Sequence, residues 1–299
     1  MPAIAWEDLP ADIQHAVQDN AIAGHIVKAE PRTEGIMPGL SAHIHASGDD
    51  DAAFVKAVPV TSPAAGLYRR ELAANRALPA VAPAPQLRWG TEAAGWIVMV
   101  FDWLPGRSAD LSPGSDDLPA VLATVERLAD MLTPCPWPDA LPVADYVAAL
   151  TEKAHRLLAK PPHCVPARDR YIRAVESFDP ADLSGDVMLH YDLHPGNLRV
   201  AGRQVSVLDW SFACRGAAWV DLAVLAPRLI EAGNTPRQAE QLLSELTAWA
   251  QAPDQAVVGL AALWTMFREY KSLYGPPDVQ HFRAQAANAG RAWMDHRAF

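Results

Sequence analysis

A small antiparallel β lobe followed by a larger, mostly helical lobe, an α+β plan, is the fold class predicted by this 299-residue sequence. Short apolar runs bounded by turn residues recur through the first hundred positions, the signature of strands. Helical periodicity dominates from about Leu118 onward. The break Leu104-Pro105-Gly106 falls between the two patterns and reads as a linker. The expected division is residues 1–102 for the first lobe and 103–299 for the second.

Each element has a local reason. Asp8 is placed to cap a first helix that carries Leu9, Ile13 and Val17 at helical spacing. Extended candidates follow at His25 to Ala29, Ala42 to Ala46 and Ala53 to Val58, the last two joined by the turn Ser47-Gly48-Asp49-Asp50-Asp51. Ser62-Pro63 starts a helix that runs to Leu78. Pro79 to Pro85 ends it, and strands are expected at Leu87 to Trp89 and Trp96 to Phe101. In the second lobe, helices are expected at Leu118 to Leu132, Asp145 to Ala159, Arg168 to Phe178, Asp221 to Glu231, Thr235 to Trp249 and Ala256 to Tyr274. Val187 to Leu208 interrupts them with two short apolar runs around Ala201-Gly202.

The bulk properties exclude several classes. A formal charge of −10 without any basic tract argues against a nucleic-acid partner. No apolar run reaches the roughly 18 residues that a membrane span requires, and Met1 to Leu9 lacks the form of a secretion signal. Cys135, Cys164 and Cys214 are odd in number and widely spaced, which suits a reducing, cytoplasmic setting.

The chemistry concentrates in His190-Tyr191-Asp192-Leu193-His194-Pro195-Gly196-Asn197, followed by Leu208-Asp209-Trp210. Phosphoryl transfer from ATP needs a carboxylate to accept the hydroxyl proton and oxygen ligands for Mg2+. Asp192 can supply the first, and Asn197 and Asp209 are hard oxygen donors of the kind Mg2+ takes. The spacing His-x-Asp-x-x-x-x-Asn, with an Asp after the next apolar strand, is that of kinase catalytic and metal loops. A kinase also requires a strand lysine and a helix glutamate to pair with it. Lys56 stands alone in the apolar run Phe54-Val55-Lys56-Ala57-Val58, and Glu71 lies in the following helix. The rival reading takes His190, Asp192 and His194 as ligands for Zn2+ or Fe2+ in a hydrolase, which leaves Asn197 and Asp209 without roles. A non-catalytic nucleotide-binding pseudokinase would need a missing catalytic residue, and none of the five is missing.

This run resembles the aminoglycoside phosphotransferase family, a small-molecule kinase branch of the bilobal protein-kinase-like fold. Asp209-Trp210 is similar to that family's metal loop, and Gly216 followed by Asp221-Leu222-Ala223 also fits it. The resemblance implies that Asp221 braces the catalytic loop. It implies a phosphate-covering loop at Gly35 to Ser41, with Gly35, Gly39 and Ser41 nearest the phosphates. It further implies an adenine site at the linker, lined by Phe101 and contacted by backbone groups of Asp102 and Leu104.

These readings converge on an ATP- and Mg2+-dependent O-phosphotransferase with a small hydroxylated acceptor, monomeric or homodimeric. The stretch from Trp219 to Tyr274 is rich in Trp, Glu and Asp, and an acidic, aromatic pocket there would suit a cationic acceptor. An antibiotic, in resistance or biosynthesis, and a metabolic alcohol of the choline, homoserine or sugar type both fit the resemblance.

Overall fold

The computed structural model describes residues 4–32, 39–47, 52–161 and 165–297. The chain divides into two compact units, Met1–Gly106 with Ser206–Ala213, and Arg107–Val205 with Cys214–Phe299.

The first unit opens with α1 (Ala11–Ala21) and continues through β1 (Ile26–Pro31), β2 (Leu40–Ala46), β3 (Ala52–Pro59), α2 (Ala65–Ala77), β4 (Leu87–Ala93) and β5 (Trp96–Asp102). The strands form one antiparallel sheet in the order β1-β2-β3-β5-β4. Strand alternation sorts its two faces. Leu40, Ala42, Ile44, Ala53, Val55 and Ala57 join a core with Ile13 and Val17 of α1. On the other face Met99 and Phe101, with Phe54 beside them, pack against Tyr68 and Leu72 of α2. Lys56 alternates with the buried α1-side residues and so lies on the α2 side of the sheet. A slip of one residue would exchange the faces, so the two cores hold the register that aims Lys56.

The second unit is built on α3 (Leu118–Met131), α4 (Val143–Leu158), α5 (Arg168–Glu176), α6 (Trp219–Glu231), α7 (Pro236–Ser244), α8 (Asp254–Tyr274) and α9 (Gln280–Arg297). Short strands complete it: β6 (Arg107–Ser108), β7 (Val187–Leu189), β8 (Leu198–Ala201), β9 (Gln204–Val207, its last two residues counted with the first unit) and β10 (Cys214–Gly216). β7 pairs with β10 and β6 with β8, both antiparallel. Most of the first half of α8 is buried, from Ala256 to Met266, as expected of a central helix packed on several sides.

The bilobal α+β expectation is met, with local corrections. Asp8 does not cap α1. It closes a single 3₁₀ turn, where its carboxylate accepts a hydrogen bond from the Ala5 N–H at 2.9 Å, and Pro10 precedes the helix. The helix expected from Thr235 to Trp249 stops at Ser244. Its start is correct, since the Thr235 hydroxyl accepts from the Gln238 N–H at 3.2 Å. Helix α9 was not anticipated. Its buried residues include Ala286, Ala287, Ala289 and Gly290, small side chains that leave no strong apolar stripe in the sequence. Four residues of the expected hairpin turn, 48–51, lie outside the described residues, although β2 and β3 pair as that turn requires.

Candidate active site

In the first unit the site is organised around Lys56. Its ammonium lies 2.5 Å from Glu71 Oε2 and 3.5 Å from Asp209 Oδ2. Lys56 comes from a central strand, Glu71 from the second turn of α2, and Asp209 from the loop after β9. That loop joins the first unit because Val207 N–H donates to Pro83 O at 2.7 Å, and because Trp210 is buried with its indole N–H donating to Val207 O at 3.0 Å. Burial alone would favour the neutral amine at Lys56. Glu71 and Asp209 outweigh it and hold the ammonium above the usual lysine range. The Lys56 cation also lies 5.5 Å from the Tyr68 ring, and burial pushes the Tyr68 phenol up to about 12.

The neighbouring residues take places that the sequence partly anticipated. Ser41 is the cross-strand partner of Lys56, and its C=O accepts from Arg32 N–H at 2.7 Å. Gly39 has φ +142°, and a Cβ there would lie 2.6 Å from Tyr68 Oη and 2.7 Å from Ala57 O, so a bare backbone is needed at the entrance to β2. Gly35 lies outside the described residues. Phe101 is buried on β5 beside Phe54. The Asp102 N–H already donates to Gln86 O at 2.9 Å, and its carboxylate accepts from Arg88 Nε at 2.7 Å. Leu104 is half-buried in the loop that follows β5.

In the second unit the loop from His190 to Asn197 is tied down by its own polar groups. Both Asp221 carboxylate oxygens accept backbone N–H bonds, from His190 at 2.9 Å and Tyr191 at 2.7 Å. Tyr191 sits at φ +63°, a left-handed conformation costly for a bulky residue, which these two bonds maintain. The His190 ring accepts from Asp192 N–H at 3.3 Å and the His194 ring from Gly196 N–H at 3.1 Å. Each ring therefore has one nitrogen engaged with the loop backbone. The Asn197 amide donates to Asp192 O at 3.0 Å, which leaves its oxygen as the atom able to ligate a cation. The Asp192 carboxylate is part-exposed, 3.7 Å from His194 Nε2. Burial lowers His194 from its usual range against the pull of Asp192.

Two features were missed by sequence reasoning. In the stretch from Trp219 to Tyr274, Glu231 pairs with Arg228 at 2.9 Å and Glu269 with Arg291, pairings that its composition does not reveal. Among the described residues, the cluster with metal-ligand convergence is Glu30, His43 and His45 on β1 and β2, not the histidines of the catalytic loop. Its sequence signal was His43-x-His45 in a strand, and the strand register sets Glu30 opposite His43.

A model of the phosphotransferase enzyme family (APH) matches residues 39–256, well over half the chain, and the protein belongs to that family. It is therefore a small-molecule phosphotransferase with an alcohol group as acceptor, as the resemblance of the His190 to Ala223 stretch implied. Solved structures share the fold. Choline kinase LicA from Streptococcus pneumoniae aligns at TM-score 0.61 and 16% identity, covering 94% of this chain and 98% of that one. Macrolide 2'-phosphotransferase MphH from Brachybacterium faecium aligns at TM-score 0.58 and 18% identity, with 94% and 98% covered. Aminoglycoside phosphotransferase APH(3'')-Id from Streptomyces rimosus, solved with ADP and streptomycin, aligns at TM-score 0.52 and 18% identity, with 86% and 98% covered. No curated protein is detectably similar in sequence. No helix among the described residues is long and apolar enough to cross a membrane.

Proposed function

We propose that this phosphotransferase moves the γ-phosphoryl group of ATP to a hydroxyl of a small molecule in the cytoplasm. Asp192 is the residue that orients the hydroxyl and accepts its proton. The observation that carries the reading is the Lys56 ammonium, held charged in the first unit between Glu71 and Asp209. A buried cation with two carboxylates on the α2 side of a sheet is suited to exchange part of that pairing for nucleotide phosphates. Gly39, Ser41 and residue Gly35 are assigned to the phosphate side, and Phe101 with backbone groups of Asp102 and Leu104 to the base. At Asp102 the N–H is already committed to Gln86, so its carbonyl is the group assigned to contact adenine.

Asn197 and Asp209 are the oxygen donors assigned to Mg2+. The chemistry fits, since both are hard donors and the Asn197 amide nitrogen is already committed to Asp192 O. When bound, the ion neutralises charge on the phosphates. The chain's own contribution is positioning: Asp221 sets the catalytic loop and Asn197 ties to the carbonyl of Asp192. The similar structures include a choline kinase, a macrolide phosphotransferase and an enzyme solved with streptomycin, so a metabolic alcohol and an antibiotic are both represented among them.

The test is Mg2+-dependent ADP release across a panel of small alcohols. Asp192→Ala is expected to lower turnover by about 100-fold or more while leaving nucleotide binding intact. Asp209→Ala is expected to abolish the response to Mg2+. Full activity in either variant would overturn these assignments.

A further inference from the structure

On the basis of that reading, we propose that the acceptor is an anionic alcohol, a hydroxyl compound bearing a carboxylate or phosphate that Arg228, Arg268 and Arg283 hold beside Asp192. The three arginines come from three different helices, α6, α8 and α9. Arg228 and Arg268 lie over the same Trp264 ring, at 5.4 and 4.8 Å from its centroid. Arg228 is answered by Glu231 at 2.9 Å. The Arg268 Nε, by contrast, is buried without a hydrogen-bond partner among the described residues. The acid one residue further along α8, Glu269, is turned to Arg291 instead.

The group also couples electrostatically to Asp192 of the catalytic loop. Burial and then Arg228 push the Arg268 guanidinium down, and Asp192 pulls it back. Arg283 is pushed down by burial and Arg228, again with Asp192 opposing. Lys271 is lowered by burial and then by Arg283, so it adds positive charge on the same side. Three guanidiniums thus face two carboxylates, Asp192 and Glu231, and the set has a cationic excess. Concentrating like charges in a part-buried site is unfavourable unless a ligand supplies the counter-charge. Guanidinium forks suit the two oxygens of a carboxylate or the edge of a phosphate. A choline-like or aminoglycoside acceptor would add to the repulsion rather than relieve it.

The experiment uses the full chain in two parallel readouts. Thermal melting without nucleotide is recorded with glycerate, malate and glycerol phosphate as anionic alcohols, and with choline and streptomycin as cationic ones. The same compounds are then scored for acceleration of ADP release from Mg2+-ATP. The expected result is a rise in melting temperature and turnover with an anionic compound. Arg268→Gln and Arg283→Gln should each raise its KM by about tenfold or more, with the KM for ATP unchanged. Arg283 is half-buried on α9, so its variant reports even if Arg268→Gln fails to fold. The proposal is overturned if only a cationic compound is bound or turned over. It is also overturned if no anionic compound shifts the melt, or if the shift persists unchanged in both variants. Failure of the phosphotransfer reading is separate: ADP with Mg2+ would then leave the melt of the wild type unmoved.

Discussion

Lys56 Nζ lies 3.5 Å from Asp209 Oδ2, although the two residues belong to opposite halves of the sequence. The loop carrying Asp209 is part of the same compact unit as the sheet that carries Lys56. With Glu71 at 2.5 Å, the lysine is held between a helix carboxylate and a loop carboxylate. Neither half of the sequence is sufficient to build this unit.

The pair is expected to matter for both folding and nucleotide binding. Glu71→Gln leaves a buried ammonium with one carboxylate in place of two, and should lower stability by about 3 kcal/mol. Lys56→Met should raise the KM for ATP by roughly tenfold or more, the scale of a lost charge-assisted hydrogen bond. Urea unfolding and nucleotide titration measure the two effects. Unchanged values in both variants would remove Lys56 from the nucleotide site.

Asp221→Asn tests the brace of the catalytic loop. Its side chain could accept only one of the two N–H bonds from His190 and Tyr191, and its amide would face the other donor. A loss of about 1–3 kcal/mol is expected. Turnover should fall while the KM for ATP holds, because Asp221 holds the backbone of the catalytic loop. An equal fall in ATP affinity would contradict that separation.

Gly39→Ala should destabilise the first unit by about 2 kcal/mol. Its φ of +142° strains any L side chain, and the new methyl would press on Tyr68 Oη and Ala57 O. Tyr68→Phe removes one of those contacts and leaves the backbone one, so the double variant should recover only part of the loss. Full recovery would place the strain in the phenol alone.

The two desolvated histidines should lower stability on mild acidification, against the Glu71 carboxyl, which burial raises to about 7 in the folded chain. Burial holds His43 and His194 below their usual value of 6.5. As pH falls through 6.5 the unfolded chain takes up these protons before the folded one does. The stability present above pH 6.5 is therefore lost as pH drops toward the folded values. The loss is about 1.4 kcal/mol for each tenfold difference in proton affinity between the folded and unfolded chain. Between about pH 7.5 and pH 5.5 the urea midpoint of the wild type should fall relative to that of His43→Asn, a difference from which the Glu71 contribution cancels. Parallel profiles in the two proteins would show that the His43 ring is not desolvated.

The sequence by itself determined most of the elements and the local motif, though not α9, whose buried face holds small residues, nor the early end of α7. The alternation around Lys56 and the periodicity of the helices follow from neighbouring residues, and so does the loop, whose histidines bond two residues along the chain. Short-range hydrogen bonding and local patterning need no knowledge of what packs where. Tertiary structure alone decided the rest. It brought Asp209 to Lys56 and set Glu30 across from His43. It turned Glu231 and Glu269 toward arginines, and brought Arg228 and Arg268 over the same Trp264 ring. Those outcomes depend on which helix faces and strand registers meet. Composition reports how many charges a segment holds but not which partner each one faces, so Glu231 and Glu269 read as free acids in the sequence and are met by arginines in the fold.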